Sequence, residues 1–193
     1  WGAAGLPVAI AYGYTVFDEL LDGARSADLH FRHTESRNNI PVLMALLGVW
    51  NSNFLGNDAL CIVPYDNRLR MFPGYLQQID MESNGKSVDI NGKFITQYRT
   101  GRIVYGQEGT NAQHAFMQLL HQGTESTAVD FIAVINPTVE QFNSIKHRRV
   151  LLANCLAQGE ALMMGNEDCD TLEPLTNHKK IKGNTPSNTF LLD

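Results

Sequence analysis

A mainly parallel β-sheet covered by helices on both faces is the fold this sequence predicts, and three observations predict it. Ala59-Leu60-Cys61-Ile62-Val63 is a short continuous apolar run stopped by Pro64-Tyr65-Asp66-Asn67, as expected of a strand buried on both faces. Residues 102–105 and 128–135 form two further apolar, strand-like runs. Stretches with helical spacing follow each of the three, and repeated strand–helix units imply a doubly covered parallel sheet. At 193 residues the chain is long enough for a sizeable core. Residues 1–165 read as one domain and residues 166–193 as a polar C-terminal extension.

The elements follow in order. Residues 1–11 are apolar. Thr15 with Asp18 forms a capping pair for a helix reaching about His30, whose apolar face is Phe17, Leu20, Leu21 and Ala24. Pro41 opens a second helix, through about Phe54, that is apolar nearly all round and therefore expected to be buried. After the first strand, Pro73 starts a helix through Met81, and Asn84-Gly85 is expected to close it in a left-handed turn. Asn91-Gly92 between two half-apolar runs predicts a small hairpin with a primed turn. Thr110 or Asn111 caps a helix running to about His121, and residues 147–164 form a long helix stopped by Gly165.

Composition excludes several classes. The chain is 44% hydrophobic and 18% charged with a net charge of −5, so it has no general attraction to nucleic acid or an anionic membrane. Its longest basic cluster, Lys146-His147-Arg148-Arg149, is short and reads as the solvated start of a helix. No apolar run reaches membrane-spanning length, and the first residues do not resemble a signal peptide. Cys61, Cys155 and Cys169 show no metal-type spacing; the first two sit in apolar runs as small buried hydrophobes. These features fit a soluble cytoplasmic protein with reduced thiols.

Two stretches carry chemistry. Glu82, in Asp80-Met81-Glu82-Ser83-Asn84-Gly85-Lys86, falls in a last helical turn, where the dipole disfavours negative charge. A carboxylate so placed suits a general base working near neutral pH. His114, in Gly109-Thr110-Asn111-Ala112-Gln113-His114, falls in the first turn of a helix beyond the carboxyl end of a strand. Open α/β sheets bind ligands at that edge, and a helix start favours the neutral imidazole. No Gly-rich nucleotide loop, nucleophile elbow or His-Glu-x-x-His pattern is present. His30 and His33 read as a solvated helix end, and His114 and His121 are too far apart in sequence to share one metal ion.

Taken together, the 80–86 stretch, Gly109-Thr110-Asn111, Gln113-His114-Ala115-Phe116 and His121-Gln122-Gly123-Thr124 resemble the glucose-6-phosphate isomerase (phosphoglucose isomerase) family. Pro64-Tyr65-Asp66, Tyr75-Leu76-Gln77-Gln78, Leu151-Leu152-Ala153-Asn154 and Gly183-Asn184 extend the resemblance over nearly the whole chain in the family's order. It implies a sugar-isomerase (SIS) three-layer α/β/α sandwich and the interconversion of glucose 6-phosphate and fructose 6-phosphate, without metal or organic cofactor. By position Glu82 matches the family's base, which moves a proton between C2 and C1 through a cis-enediol. His114 matches the histidine that assists ring opening, and Gln78 matches a substrate-binding glutamine. Gln107, Glu108 and Ala112 depart from the family's usual glutamate, proline and glycine. The family's phosphate-binding Ser/Thr loop and a later lysine have no counterpart, so the chain reads as an internal fragment, inactive alone.

Two other readings compete with an isomerase fragment. One is a non-catalytic SIS module binding a sugar phosphate or a protein partner. The other is an unrelated hydrolase using Glu82 and His114, which the missing nucleophile elbow disfavours. Helix geometry adds an expectation about assembly. A helix of about ten residues separates its two ends by about 15 Å, so a helix-start histidine and a helix-end glutamate lie at opposite sheet edges. His114 is therefore expected to complete the site of a neighbouring subunit in a two-fold homodimer.

Overall fold

The computed structural model describes residues 2–136, 144–166 and 176–193, which leaves Trp1 and Cys169 outside the described residues. The chain divides into two compact units, Trp1–Val49 and Trp50–Asp193. None of the described helices is long and apolar enough to cross a membrane.

The first unit holds helices α1 (Leu6–Tyr12), α2 (Tyr14–His33) and α3 (Ile40–Val49). The expected Thr15–Asp18 cap is not formed; α2 starts at Tyr14, behind Gly13, with no side-chain cap. Asn39 makes the turn into α3, donating through Nδ2 to the Phe31 carbonyl at 2.8 Å and accepting from the Val42 amide at 3.3 Å. His30 sits here between Thr34 and the Ile40 amide, so its ring caps the turn. The expectation that α3 is buried fails: Leu46 is 60% and Leu47 43% exposed. An all-round apolar pattern demands a covering surface, and three helices do not supply one within this unit.

The second unit is the α/β sheet. Its described strands are β1 (Ala59–Pro64), β2 (Ile103–Gly106), β3 (Ala128–Val134) and β4 (Ser187–Leu192), in the order β2-β1-β3-β4 and all parallel. Alternate residues split between two cores. Cys61 and Val63 of β1 with Val129, Phe131 and Ala133 of β3 face α6 (Gly109–Ala112), α7 (Met117–Gln122) and α8 (Ser144–Met164). Leu60, Ile62, Val104, Ala128 and Ile132 face Phe72 and Leu76 of α4 (Phe72–Leu76). Phe131 is wholly buried, and truncating such a ring costs about 3–5 kcal/mol. Burial pushes the Cys61 thiol to about 12 and that of Cys155 to about 11, so both behave as the small hydrophobes expected.

β4 is a strand the sequence does not announce, because Ser187, Asn188 and Thr189 make its first half polar. What attaches it is a side-chain bond as well as the ladder: Asn188 Nδ2 donates to Asp130 Oδ1 at 2.8 Å. Burial pushes the Asp130 carboxyl up, and the Asn188 bond works against that shift. The stretch read as a polar extension thus contributes an edge of the sheet. The hairpin at residues 88–94 forms, yet its turn is Asp89–Gly92 with only Gly92 left-handed (φ 77°). Asp89 Oδ1 takes the Asn91 and Lys93 amides at 2.8 and 2.9 Å, which favours this turn over the primed one expected.

At the carboxyl end of β1 lies a buried carboxylate. Asp66 accepts from Arg68 at 2.8 Å and from Arg148, at the start of α8, at 2.9 Å. Arg148 is therefore half-buried, not part of a solvated cluster. The Arg68 side-chain hydrogen bond, aided by Arg148, holds the Asp66 carboxyl far below the usual carboxylate range, against the opposing effect of burial. A lowered folded-state value means stabilisation present above the unfolded value of about 3.9 and lost as pH falls below it toward the folded value. Asp66→Asn should destabilise the second unit by about 2–3 kcal/mol at pH 7, less than a fully buried pair because Arg68 is partly solvated. Denaturant midpoints at pH 7 and pH 3 should show the difference between variant and parent shrinking at the lower pH.

Candidate active site

Glu82 and Gln78 lie on the helix that leaves β1. It starts as α4, one residue before Pro73, and does not stop at Met81. Residues Gln77–Met81 wind as a π-helix and α5 (Glu82–Asn84) closes the run. Glu82 is thus in the last turn, as the sequence indicates. Gly85 is not left-handed (φ −71°, ψ 62°), contrary to expectation. Its amide still reaches the Met81 carbonyl at 2.9 Å, and a Cβ there would lie 2.6 Å from that oxygen, so close approach explains the glycine.

Gln78 and Glu82, four residues apart on this run, are in contact. Gln78 Nε2 donates to Glu82 Oε2 at 2.6 Å, which leaves Oε1 without a protein partner among the described residues. Both side chains are exposed. One turn along, Asn84 Nδ2 donates to Asp80 Oδ1, and Lys86 Nζ donates to the Glu82 carbonyl at 2.7 Å. Met81 Sδ accepts from the Val104 amide at 3.4 Å, pinning the helix end to the start of β2. Gly101, just before β2, packs against Asn84. These contacts put Glu82 at the amino edge of the sheet.

His114 is elsewhere. The single helix expected from Thr110 to His121 is broken into α6 and α7, and His114 lies in the turn between them, with its amide on the Asn111 carbonyl at 3.2 Å. The break follows from packing: Ala112, Met117 and Leu120 all enter one core, and Phe116 stands edge-on to Tyr105 with centroids 5.3 Å apart. α6 begins at the carboxyl edge, where Gly109 approaches Tyr65 so closely that a Cβ would lie 2.3 Å from the ring. The His114 side chain is exposed and makes no hydrogen bond among the described residues. No described contact joins it to Glu82 or Gln78. His121 is tied to Gln158 by a 2.7 Å bond through Nε2.

Two of the departures have a structural account. Glu108 accepts from Asn111 Nδ2 at 2.8 Å in front of α6, and the Ala112 methyl fills the core with no exposure. Nothing in the structure explains Gln107, which is exposed. Lys86 is not among the candidate residues read from the sequence, although its place four residues after Glu82, whose carbonyl it bonds, is visible there. Among the described residues no group of three or more His, Cys, Asp or Glu could hold a metal ion.

Comparison with known proteins follows the same line. A family model described as phosphoglucose isomerase matches residues 1–193. Glucose-6-phosphate isomerase 2 of Chromohalobacter salexigens is 50% identical over 200 residues, covering 100% of this chain and 35% of that protein. The glucose-6-phosphate isomerase of Methylocella silvestris is 47% identical over 204 residues, covering 99% of the chain and 36% of the relative. A crystal structure of a glucose-6-phosphate isomerase from Chlamydia trachomatis superposes with a TM-score of 0.88 at 40% identity, over 98% of this chain and 36% of that one. The chain spans about a third of the length of these relatives.

Proposed function

The chain belongs to the phosphoglucose isomerase family, and from that premise we propose that it carries the general base of an aldose–ketose isomerase acting on glucose 6-phosphate and fructose 6-phosphate. The observation that carries this reading is the 2.6 Å bond from Gln78 to Glu82, which holds one carboxylate oxygen and leaves the other open. In the forward direction Glu82 Oε1 takes the proton from C2 of the open-chain aldose as its carbonyl moves into a cis-enediol. The same oxygen returns a proton to C1 as the carbonyl forms at C2, while the O2 hydroxyl gives up its proton and O1 gains one, so the isomerisation is balanced and no electron acceptor is consumed. Gln78 sits where it can also touch the substrate, and the phosphate is anchored by residues beyond this chain. Such acid–base help is worth about 10²–10⁴-fold.

His114 serves ring opening, in this reading, at the site of a second copy. Supporting it is the placement of Glu82 at the amino edge, at the far end of the run from Phe72 to Asn84, and of the turn bearing His114 just after a short helix that starts at the carboxyl edge. A two-fold homodimer lets each chain give and receive one histidine. The reading places the protein in the cytoplasm, in keeping with the two buried thiols.

Isotope transfer tests the proton chemistry. Glucose 6-phosphate carrying deuterium at C2 is incubated in ordinary water with the full-length protein that contains this chain. Part of the label should appear at C1 of fructose 6-phosphate and part in solvent, because a carboxylic acid exchanges its proton while the enediol is bound. Complete retention at C1 would point to direct hydride transfer and remove Glu82 from the reaction.

A further inference from the structure

We propose that Lys86 is a positioning residue for Glu82, its ammonium closing the last helical turn on the main chain of the base; the inference rests on Glu82 being that base. The helix ends with an ordinary bond from the Gly85 amide to the Met81 carbonyl at 2.9 Å. The next carbonyl in line is that of Glu82. Had the helix continued, the Lys86 amide would have taken it, but that amide turns to the Asn84 carbonyl at 2.7 Å. The Lys86 side chain supplies the missing donor, with Nζ 2.7 Å from the Glu82 oxygen.

A cation at a helix C-terminus is favoured by the exposed carbonyls, and here it offsets a carboxylate placed where the dipole opposes it. The choice of acceptor matters chemically. An ammonium bonded to the carboxylate itself would hold the anion and weaken it as a base. Lys86 bonds the carbonyl, so Oε1 stays open while the backbone of Glu82 is fixed. The residue is held from two further sides, by Gln78 on Oε2 and by the Met81 sulfur on the Val104 amide. Position matters because misplacing a reacting group by about 1 Å can cost about 10²-fold in rate.

The test compares Lys86→Met and Lys86→Arg in the full-length protein by two readouts. Amide exchange over residues 82–86, read without substrate, should be about two- to fivefold faster in Lys86→Met and near the parent in Lys86→Arg. The kcat of isomerisation should fall about fivefold in Lys86→Met with KM changed less than twofold, and Lys86→Arg should recover most of it. Unchanged exchange in Lys86→Met would overturn the proposal. So would a rise in KM alone, which marks a substrate contact, or an equal loss in Lys86→Arg. Full activity in Glu82→Gln would instead refute the isomerase reading of this site, and the substrate-free exchange keeps the two failures apart.

Discussion

Glu82→Gln in the full-length protein should lower kcat for isomerisation by about 10²–10⁴-fold and leave the fold intact. The substitution keeps the shape of the side chain and removes only its ability to take a proton. Gln78 can still donate to the amide oxygen at position 82, because that bond at 2.6 Å needs an acceptor and not a charge. Stability should move by no more than about 0.5 kcal/mol, since the side chain is exposed. The direction of that small change is upward, because a negative charge leaves a helix C-terminus. KM should stay within a few-fold, because glutamine keeps the shape of the side chain and the bond it takes from Gln78. The decisive readout is exchange of the C2 proton with solvent, which stops if Glu82 carries it. Retained exchange in a correctly folded variant would assign the base to another group.

The sheet was the most legible part of the chain. β1 and β3 are continuous apolar runs because both faces of a central parallel strand are covered, and the structure buries Cys61, Val63, Val129 and Phe131 almost completely. β4 escaped because it lies at an edge, where polar Ser187 and Asn188 are tolerated and one of them bonds a buried Asp130. The π-helical turn at Gln77–Met81 was not legible, since widening one turn hardly alters the apolar spacing around it. The bond between Gln78 and Glu82 was not read from the sequence, although residues four apart on a helix meet, and the open Oε1 required coordinates. His114 was placed at the start of one long helix, but core packing by Ala112 and Met117 breaks that helix and puts it in a turn. Arg148 looked like a solvated helix start because nothing local marks Asp66, 82 residues earlier, as its partner. Long-range pairs of that kind leave no periodic trace.

The central claim is that one working site takes Glu82 from one chain and His114 from another. Full-length Glu82→Gln and His114→Ala proteins, each expected to be inactive alone, are dissociated, mixed in equal amounts and reassembled. Half of the dimers are then mixed, and each mixed dimer holds one site with both groups intact and one with neither. Activity should therefore rise from near zero to about a quarter of the parent's. If mixed dimers form, as shown by mass, and activity stays near zero, Glu82 and His114 act within the same chain and the shared site is refuted.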